Sequence, residues 1–323
     1  MRAALALASR GRGRTAPNPS VGCLIVSNGH VVGRGWTQPS GRPHAEAVAL
    51  DEAGGQARDA TVFVTLEPCA HESARGPACA DLLVAARPER VVVALEDADE
   101  RTAGNGIERL RKAGIKVEVG VEADRARKEH AGFLVRMMTC RPRVALKLAM
   151  SIDGRVALES GESQWITGDI ARAHAHLMRA ESDMILVGRG TLAADDPSLT
   201  VRLPGLEDRS PRPTVMSATL DAIPDAANMA KNAPLLLNGP EALQGLPAND
   251  VLVEGGAGLA SSLLRADVVD RLLVYRAPVL LGDPAPGAGR LGLERLGDAH
   301  DRWRLSETRF LGSDRLETYE RTR

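Results

Sequence analysis

The sequence predicts two α/β domains in succession. Its 323 residues exceed the roughly 100 to 200 of one typical domain. Apolar runs of strand length alternate with helical stretches along the chain, which favours layered α/β sheets. The alternation is interrupted once, near residues 139–143, where Cys140 is followed by Arg141 and Pro142. We therefore expect a first domain over 1–122, a connector over 123–143 and a second domain over 144–323.

The first region begins with a short helix after Arg2, because its apolar run is too brief and too closely followed by arginines for an export signal. A hairpin is expected next, with the turn Asn28-Gly29 between strands at 21–26 and 31–36. The elements that follow are a helix at 44–53, a strand at 61–66, a helix after Pro77, a strand at 91–95, a helix at 107–112 and a strand at 115–119. A helix over 123–138 would form the connector.

The second region also alternates. Its predicted strands lie at 144–150, 184–187, 214–216, 235–237, 251–253, 272–275, 303–308 and 315–319, and its helices at 170–180 and 259–264. The last strands follow one another without a helix, so an antiparallel finish is expected. The glycine-rich turn at 255–258 opens the second helix, where free N–H groups can bind phosphate. That turn lacks the full G-x-G-x-x-G pattern, so an ordinary tight turn is an open alternative.

Composition excludes several classes of function. Lys and Arg total 41 against 42 Asp and Glu, and aromatic residues make up only 2% of the chain. A protein that grips nucleic acid usually carries a basic excess and aromatic stacking platforms, so nucleic acid is an unfavoured partner. No apolar stretch approaches the ~18 residues that span a bilayer. Four cysteines are too few for a disulfide framework, which favours a cytoplasmic protein. The oligomeric state is not set by the sequence, and a homo-oligomer is left open.

One histidine and two cysteines suggest a zinc site. His44 stands at the start of a predicted helix, Cys69 follows a predicted strand, and Cys79 comes ten residues later. One imidazole and two thiolates leave the fourth tetrahedral position of Zn²⁺ for water, which the metal acidifies. Glu46, two residues beyond His44, is placed to move a proton from that water to a departing amine. This is the ligand logic of zinc deaminases, although the gap between the cysteines is longer than in P-C-x-x-C.

Other interpretations of the same residues stay open. A structural zinc site would recruit Cys23, His71 or Cys140 as fourth ligand, and a protein without metal would need none of them. Cys23 lies within a predicted strand, where a small buried thiol is the expected role.

Four segments of the first region match the sequence pattern of a known enzyme family: APNPSVG at 16–22, PHAE at 43–46, TLEPCAH at 65–71 and PAC at 77–79. They resemble the pyrimidine deaminase half of the RibD family of bifunctional riboflavin biosynthesis enzymes, in which a long cysteine spacing is normal. The resemblance implies a cytidine-deaminase-like α/β/α domain, one Zn²⁺ per chain, and contacts of Asn18 and His71 with the pyrimidine nucleotide. The chain departs from many members at Thr37 and Val48, where they have histidine.

The second half resembles the reductase half of the same family, through SIDGR at 151–155, GESQWIT at 161–167, GRGT at 188–191, ADDP at 194–197 and LTVR at 199–202. The resemblance implies a dihydrofolate-reductase-like α/β domain that binds NADPH. The implied cofactor contacts are Ala149, Trp165, Thr191, Asp195, Gly256, Ala257, Gly258, Leu259, Ala260, Ser261 and Ser262, with Asp195 also catalytic. The implied substrate contacts are Ser163, Arg179, Leu199, Arg202 and Glu254. Ala218 departs from a polar residue in other members.

The resemblance implies two consecutive reactions on a small pyrimidine nucleotide. The first is hydrolytic deamination of 2,5-diamino-6-ribosylamino-4(3H)-pyrimidinone 5′-phosphate. The second is NADPH reduction of the ribosyl side chain, which gives 5-amino-6-ribitylaminouracil 5′-phosphate. Two rival hypotheses are a deaminase acting on another nucleotide or on a nucleic-acid base, with an appended nucleotide-binding domain, and a non-enzymatic binding module with a structural zinc.

Overall fold

The structure is a computed structural model, and it describes residues 1–71, 75–282 and 286–323. The chain divides into two compact units, Met1–Cys140 and Arg141–Arg323. Each unit is built on its own β-sheet with helices packed against it. The expected fold class, two α/β domains in succession, is confirmed.

The sheet of the first unit has five strands in the order β2-β1-β3-β4-β5. They are β1 (Gly22–Ser27), β2 (His30–Trp36), β3 (Thr61–Val64), β4 (Arg90–Val93) and β5 (Lys116–Val119). The predicted hairpin β1-β2 is antiparallel, and β1 also pairs antiparallel with β3. Strands β3, β4 and β5 are parallel, so their carboxyl ends meet at one edge. That edge is where the loop carrying Cys69 leaves the sheet.

Among the described residues of this unit, the α-helices are α1 (Arg2–Ala8), α2 (Ala45–Ala53), α3 (Cys79–Ala86), α4 (Asn105–Lys112), α5 (Ala123–Glu129) and α6 (Ala131–Thr139). Helix α2 lies directly on β2, and only glycine permits this distance. A Cβ on Gly35 would lie 1.9 Å from the Ala45 carbonyl oxygen, and one on Gly33 would lie 2.2 Å from that of Ala49. The close approach fixes the N-terminal turn of α2, which carries the zinc-motif residues.

The helix expected over 123–138 is two helices. The chain leaves helical geometry at His130, whose ring lies in the core, 3.2 Å from the Thr65 carbonyl oxygen and 3.1 Å from the Thr65 hydroxyl. This side-chain anchor to the end of β3 holds the chain at the break. Both helices belong to the first unit, where Phe133 of α6 joins the hydrophobic core.

The second unit has an eight-stranded sheet in the order β12-β13-β11-β6-β10-β7-β8-β9. Its strands are β6 (Arg143–Met150), β7 (Met184–Gly188), β8 (Arg212–Met216), β9 (Leu235–Leu237), β10 (Asp250–Val253), β11 (Arg271–Arg276), β12 (Trp303–Leu311) and β13 (Asp314–Arg321). From β11 through β6, β10, β7 and β8 to β9, each strand is parallel to the next. Strands β12 and β13 form the expected antiparallel finish.

In the part of this unit that the structure describes, the α-helices are α7 (Asp169–Ala180), α8 (Arg189–Asp195) and α9 (Ala257–Arg265). Helix α8 was not expected, because it has only seven residues and Gly190 in its first turn weakens the helical pattern. It follows β7, and α9 follows β10, so both helices begin at the carboxyl edge of two neighbouring parallel strands. A Cβ on Gly188 would lie 3.5 Å from the Leu259 Cβ, which shows how near the two starts are.

Strand β12 stands at one end of the sheet order. Residues 304–310 are all exposed, and the pairing with β13 shifts by a bulge between Leu305 and Glu307. The exposed side chains include Leu305 and Phe310, the latter 78% exposed. Among the helices of the described ranges, none combines the length and the apolar character that crossing a membrane requires.

Candidate functional site

The three residues of the predicted zinc motif converge on one point. The Sγ atoms of Cys69 and Cys79 lie 3.5 Å and 3.3 Å from His44 Nδ1. In a tetrahedral zinc site, nitrogen and sulfur ligands with ordinary bond lengths stand about 3.5 Å apart. The donor set therefore fits zinc in type, number and spacing, and it leaves one tetrahedral position free.

Local structure explains this convergence. His44 is the residue before α2, Cys79 is the first residue of α3, and Cys69 follows β3 at the sheet edge. The backbone N–H of Cys79 donates to Cys69 Sγ at 3.2 Å, which ties the start of α3 to the Cys69 loop. The Cys79 thiol lowers the pKa of the Cys69 thiol to about 4, against the opposing effect of burial. Cys69 is therefore present as the thiolate that a metal binds.

Glu46 lies in the first turn of α2 and is 3% exposed. Burial raises the pKa of Glu46 to about 7, and nearby His44 opposes the rise. The Glu46 carboxyl also shares a hydrogen bond with the Cys79 side chain. A carboxyl beside the ligands that can gain or lose a proton near neutral pH is suited to acid–base work.

The candidates for a fourth protein ligand lie elsewhere. In the described ranges, His44, Cys69 and Cys79 form the one group with metal-ligand spacing. Cys23 is buried within β1, where it pairs with Val64, and Cys140 is exposed at the end of α6. His71 turns to a different partner, described next. The geometry thus favours an open coordination position over a closed structural site.

Of the two residues expected to contact the pyrimidine, Asn18 contacts the triad and His71 contacts a buried threonine. Asn18 Nδ2 donates to the Gly41 carbonyl at 2.8 Å and lies 3.1 Å from His44 Nε2. His71 Nδ1 lies 3.2 Å from the hydroxyl of Thr102, which is fully buried. Sequence reasoning missed Thr102, because it lies in a loop with no motif.

Glu67 is a second missed residue, and it organises the loop that holds Thr102. Its buried carboxylate accepts four backbone N–H groups at 2.9–3.1 Å. The donors are Asp97, Gly104, Gly106 and Ile107. A Cβ on Gly106 would lie 2.1 Å from the Pro68 carbonyl oxygen, so the start of α4 rests on the residue before Cys69. An acidic residue directly after a buried strand was the available signal.

In the second unit, two expected substrate residues bind each other. Arg179 of α7 donates to both carboxylate oxygens of Glu254, at 2.8 Å and 3.0 Å. Lys147 Nζ lies 3.7 Å from the same carboxylate. Burial opposes ionisation, but Lys147 and Arg179 outweigh it and lower the pKa of Glu254 to about 2. Sequence reasoning missed Lys147, although a single charged residue inside the apolar strand β6 was a visible signal.

The segment with Leu199 and Arg202 is held by α7. Arg179 Nη1 donates to the Thr200 carbonyl at 2.9 Å, and the backbone N–H of Arg202 donates to His176 Nδ1 at 3.2 Å. Leu199 has a positive φ of 56° and a buried side chain, whereas Arg202 is exposed. Three expected substrate residues, Arg179, Arg202 and Glu254, are thereby brought into one neighbourhood.

The expected cofactor residues lie along the carboxyl edge of three neighbouring strands. Ala149 is next to the last residue of β6, Thr191 lies in α8, and Gly256 precedes α9. A Cβ added at Gly256 or Gly258 would meet nothing within 4 Å, so the backbone at the start of α9 is open to an approaching group. Exposed N–H groups at a helix start, at the carboxyl edge of a parallel sheet, fit a dinucleotide phosphate. The rest of the 256–262 segment follows in α9: Ala257, Gly258, Leu259, Ala260, Ser261 and Ser262.

Three further expected residues, Ser163, Trp165 and Asp195, are exposed as well. Trp165 is 64% exposed, and the Arg172 guanidinium lies 4.9 Å from its ring centroid. Ser163 is exposed in the same segment, and Asp195 is exposed at the last residue of α8. No contact joins any of these three to the Arg179–Glu254 pair within the described ranges.

Of the three residues that depart from the family pattern, Thr37 has a local structural role. The buried Thr37 hydroxyl accepts the Val21 N–H at 2.9 Å, so this residue fastens the end of β2 to the start of β1. Val48 is half-buried in α2, and Ala218 is exposed after β8. Nothing in the structure explains these last two.

Two family models match this chain, one within each of its two units. Residues 1–95 match the cytidine and deoxycytidylate deaminase zinc-binding region, and residues 142–315 match the RibD C-terminal domain. All three proposed zinc ligands lie in the first match, and the Arg179–Glu254 pair lies in the second.

Similar proteins cover the whole chain. The riboflavin biosynthesis protein RibD of Escherichia coli is 40% identical, with 97% of this chain and 96% of that protein covered. RibD of Mycobacterium tuberculosis is 41% identical, with 94% of this chain and 91% of that protein covered.

Solved structures of similar proteins also match this chain over its full length. Acinetobacter baumannii RibD superposes with a TM-score of 0.87 at 37% identity, covering 100% of this chain and 98% of that one. A Thermotoga maritima diaminohydroxyphosphoribosylaminopyrimidine deaminase/5-amino-6-(5-phosphoribosylamino)uracil reductase gives a TM-score of 0.90 at 30% identity, covering 100% of this chain and 97% of that one. Both units therefore have full-length counterparts joined in the same order.

Proposed function

This chain belongs to the RibD family of bifunctional riboflavin biosynthesis enzymes, and we propose from that membership how its residues divide two reactions between them. The first unit removes the ring amine of a diaminopyrimidine ribosyl phosphate by hydrolysis. The second reduces the ribosyl side chain of the product to ribityl with NADPH. The observation that carries the deaminase assignment is the His44, Cys69 and Cys79 triad with buried Glu46 beside it.

In the deaminase unit, His44, Cys69 and Cys79 hold Zn²⁺, which when bound makes a water molecule acidic enough to supply hydroxide near neutral pH. Glu46 takes a proton from the attacking water and delivers it to the ring amine. The C–N bond breaks and ammonia leaves. The ring carbon keeps the oxygen of water as a carbonyl, and the second proton of that water ends on the adjacent ring nitrogen. Asn18 and His71 hold the base in place, and Thr102 orients the His71 ring.

In the reductase unit, NADPH supplies the hydride, and the residues at the starts of α8 and α9 hold the dinucleotide. Hydride transfer needs the donor carbon and the sugar C1′ in near contact, with the ring-opened imine form of the sugar favoured. Arg202 anchors the substrate phosphate away from the reacting carbon, and Asp195 lies close to the nicotinamide. Glu254, fixed by Arg179 and Lys147, presents a permanent carboxylate to the ribosyl hydroxyls. The partners are small molecules, and the compartment is the cytoplasm.

The test is an assay of the purified, zinc-loaded protein with the diaminopyrimidine ribosyl phosphate, and products are identified by mass. Without NADPH, only the deaminated ribosyl product is expected. With NADPH, the product should gain two further mass units of hydrogen. Turnover of cytidine or of single-stranded DNA in place of this substrate would contradict the proposal.

The two sites should also work independently. A Glu46→Gln protein should still reduce the deaminated intermediate when this is supplied directly, because the residues of the reductase site all lie in the second unit. Loss of reduction in a correctly folded Glu46→Gln protein would overturn the assignment of separate sites.

A further inference from the structure

His176 is a histidine without an assigned role, and it lies against the proposed phosphate anchor. It is half-buried on α7, three residues before Arg179, so the two side chains share one face of the helix. Two contacts join it to Arg202. The Arg202 backbone N–H donates to His176 Nδ1 at 3.2 Å, and Arg202 Nη2 lies 3.4 Å from His176 Nε2.

The first contact settles which ring nitrogen carries the proton. Nδ1 accepts a hydrogen bond, so it carries none, and in a neutral imidazole the proton must then be on Nε2. The neutral form is favoured, because burial and the neighbouring Arg179 and Arg202 lower the pKa of His176 to about 4. His176 therefore presents an N–H donor at Nε2.

The second contact then brings two donors together. The Arg202 guanidinium has only N–H donors, and so has His176 at Nε2, so the two groups cannot hydrogen-bond to each other. Donors that converge in this way match an oxygen with several lone pairs. The Thr200 carbonyl, which accepts Arg179 Nη1 at 2.9 Å, is also a hydrogen-bond partner of the His176 ring, so a phosphate oxygen would take the place of that carbonyl at the ring.

The charges nearby point to an anion. Arg179 and Lys147 surround a single carboxylate, that of Glu254, and Arg202 adds a further positive charge. Three cations against one carboxylate leave a net positive charge, which suits a phosphate group that is near its second ionisation.

We propose that His176 binds the substrate phosphate through its Nε2–H, alongside the Arg202 guanidinium, while its Nδ1 holds the Arg202 backbone in position. The proposal rests on the proposed function, in which Arg202 is the phosphate anchor. It makes His176 a specificity residue that distinguishes the phosphorylated substrate from the free nucleoside.

Two substitutions separate the two halves of this role. His176→Asn keeps an acceptor near the position of Nδ1 for the Arg202 N–H but removes the donor at Nε2. His176→Gln places a donor near Nε2 and lacks the Nδ1 acceptor. His300→Asn is a matched control, because His300 is an exposed histidine of the same unit.

The reductase step is measured with the deaminated substrate in its phosphorylated and dephosphorylated forms. His176→Asn should raise the KM for the phosphorylated substrate about 10- to 100-fold, the effect of one hydrogen bond to a charged group. Its KM for NADPH and its kinetics with the dephosphorylated substrate should match the parent protein. His176→Gln should recover part of the lost affinity, and His300→Asn should change nothing.

An equal penalty on both substrate forms in His176→Asn would overturn the proposal, since it would assign His176 a purely structural role. An unchanged KM would overturn it as well. A binding measurement separates this failure from failure of the proposed function. Inorganic phosphate should shift the ¹⁵N resonance of His176 Nε2 in the parent protein, identified by its absence in His176→Asn, whether or not the chain reduces the pyrimidine. No shift at saturating phosphate would refute the contact.

Discussion

Replacing Glu67 with glutamine should destabilise the deaminase unit more than the same substitution at an exposed glutamate does. In the folded protein, one oxygen of Glu67 accepts the N–H groups of Gly106 and Ile107, and the other accepts those of Asp97 and Gly104. A glutamine side chain keeps one acceptor oxygen. Its NH₂ group replaces the other and then faces two backbone donors that it cannot satisfy.

The magnitude follows from the two bonds that are lost. A hydrogen bond to a charged group contributes about 1.5–3 kcal/mol, so two of them amount to about 3–6 kcal/mol. A whole domain is stable by only about 5–15 kcal/mol. For a unit of this size, that loss lowers the unfolding temperature by about 10–20 °C.

The assay is thermal inactivation of the full chain, with deamination and reduction measured separately after each heating step. Glu67→Gln should lose deamination at a much lower temperature than the parent, while reduction survives as before. Glu89→Gln is the control, because Glu89 is an exposed carboxylate paired with Lys116 at the surface. If deamination in Glu67→Gln survived to within 2 °C of the parent, on the order of a 1 kcal/mol effect at most, the four bonds would not stabilise the unit as argued.

Four further outcomes are expected. Glu46→Gln should keep its zinc by metal analysis yet lose at least ~10²-fold in deamination, since it removes the proton carrier and no ligand; near-normal turnover would exclude that role. Cys69→Ser and Cys79→Ser should each lose zinc strongly on metal analysis, and full occupancy in both would rule out the ligand set. Arg202→Lys should lower kcat/KM of reduction by an amount equivalent to about 1–3 kcal/mol of transition-state stabilisation, with NADPH affinity unchanged. A selective loss of NADPH affinity would instead place Arg202 in the cofactor site. The pKa of Glu254 is lowered to about 2, so its contribution to the stability of the second unit is complete above its unfolded pKa near 4.3 and is lost as the pH falls towards 2. Glu254→Gln should therefore weaken the fall in the free energy of unfolding of that unit between these two pH values.

The three residues of the candidate zinc site could be predicted to converge because each lies at one end of a predictable helix or strand. His44 precedes α2, Cys69 follows β3 and Cys79 opens α3, so the element boundaries and the donor types sufficed. The order of most strands and helices could also be predicted, because hydrophobic periodicity marks each of them locally. Helix α8 was missed because it is short and Gly190 weakens the periodic pattern on which helix prediction depends.

The contacts that hold the sites together could not be predicted in this way. Glu67 binds amides 30 to 40 positions further along the chain, and Arg179 binds Glu254 across 75 positions. Such pairs are made by the tertiary fold, and no local pattern marks them. The roles of Arg179 and Glu254 came from the family resemblance alone, and the resemblance did not indicate that the two side chains bind each other.

The edge strand β12 bears on how the protein avoids self-association into aggregates. A long outer strand offers unpaired backbone groups to any other strand, and an exposed Phe310 would strengthen such a contact. The bulge after Leu305 interrupts the regular spacing that a second strand would need, and Arg304, Glu307 and Arg309 place charges along the exposed stretch. Replacing these charged residues with valine would remove that protection and turn β12 into a template for intermolecular sheet growth, so the yield of dispersed protein depends on the charges of one edge strand.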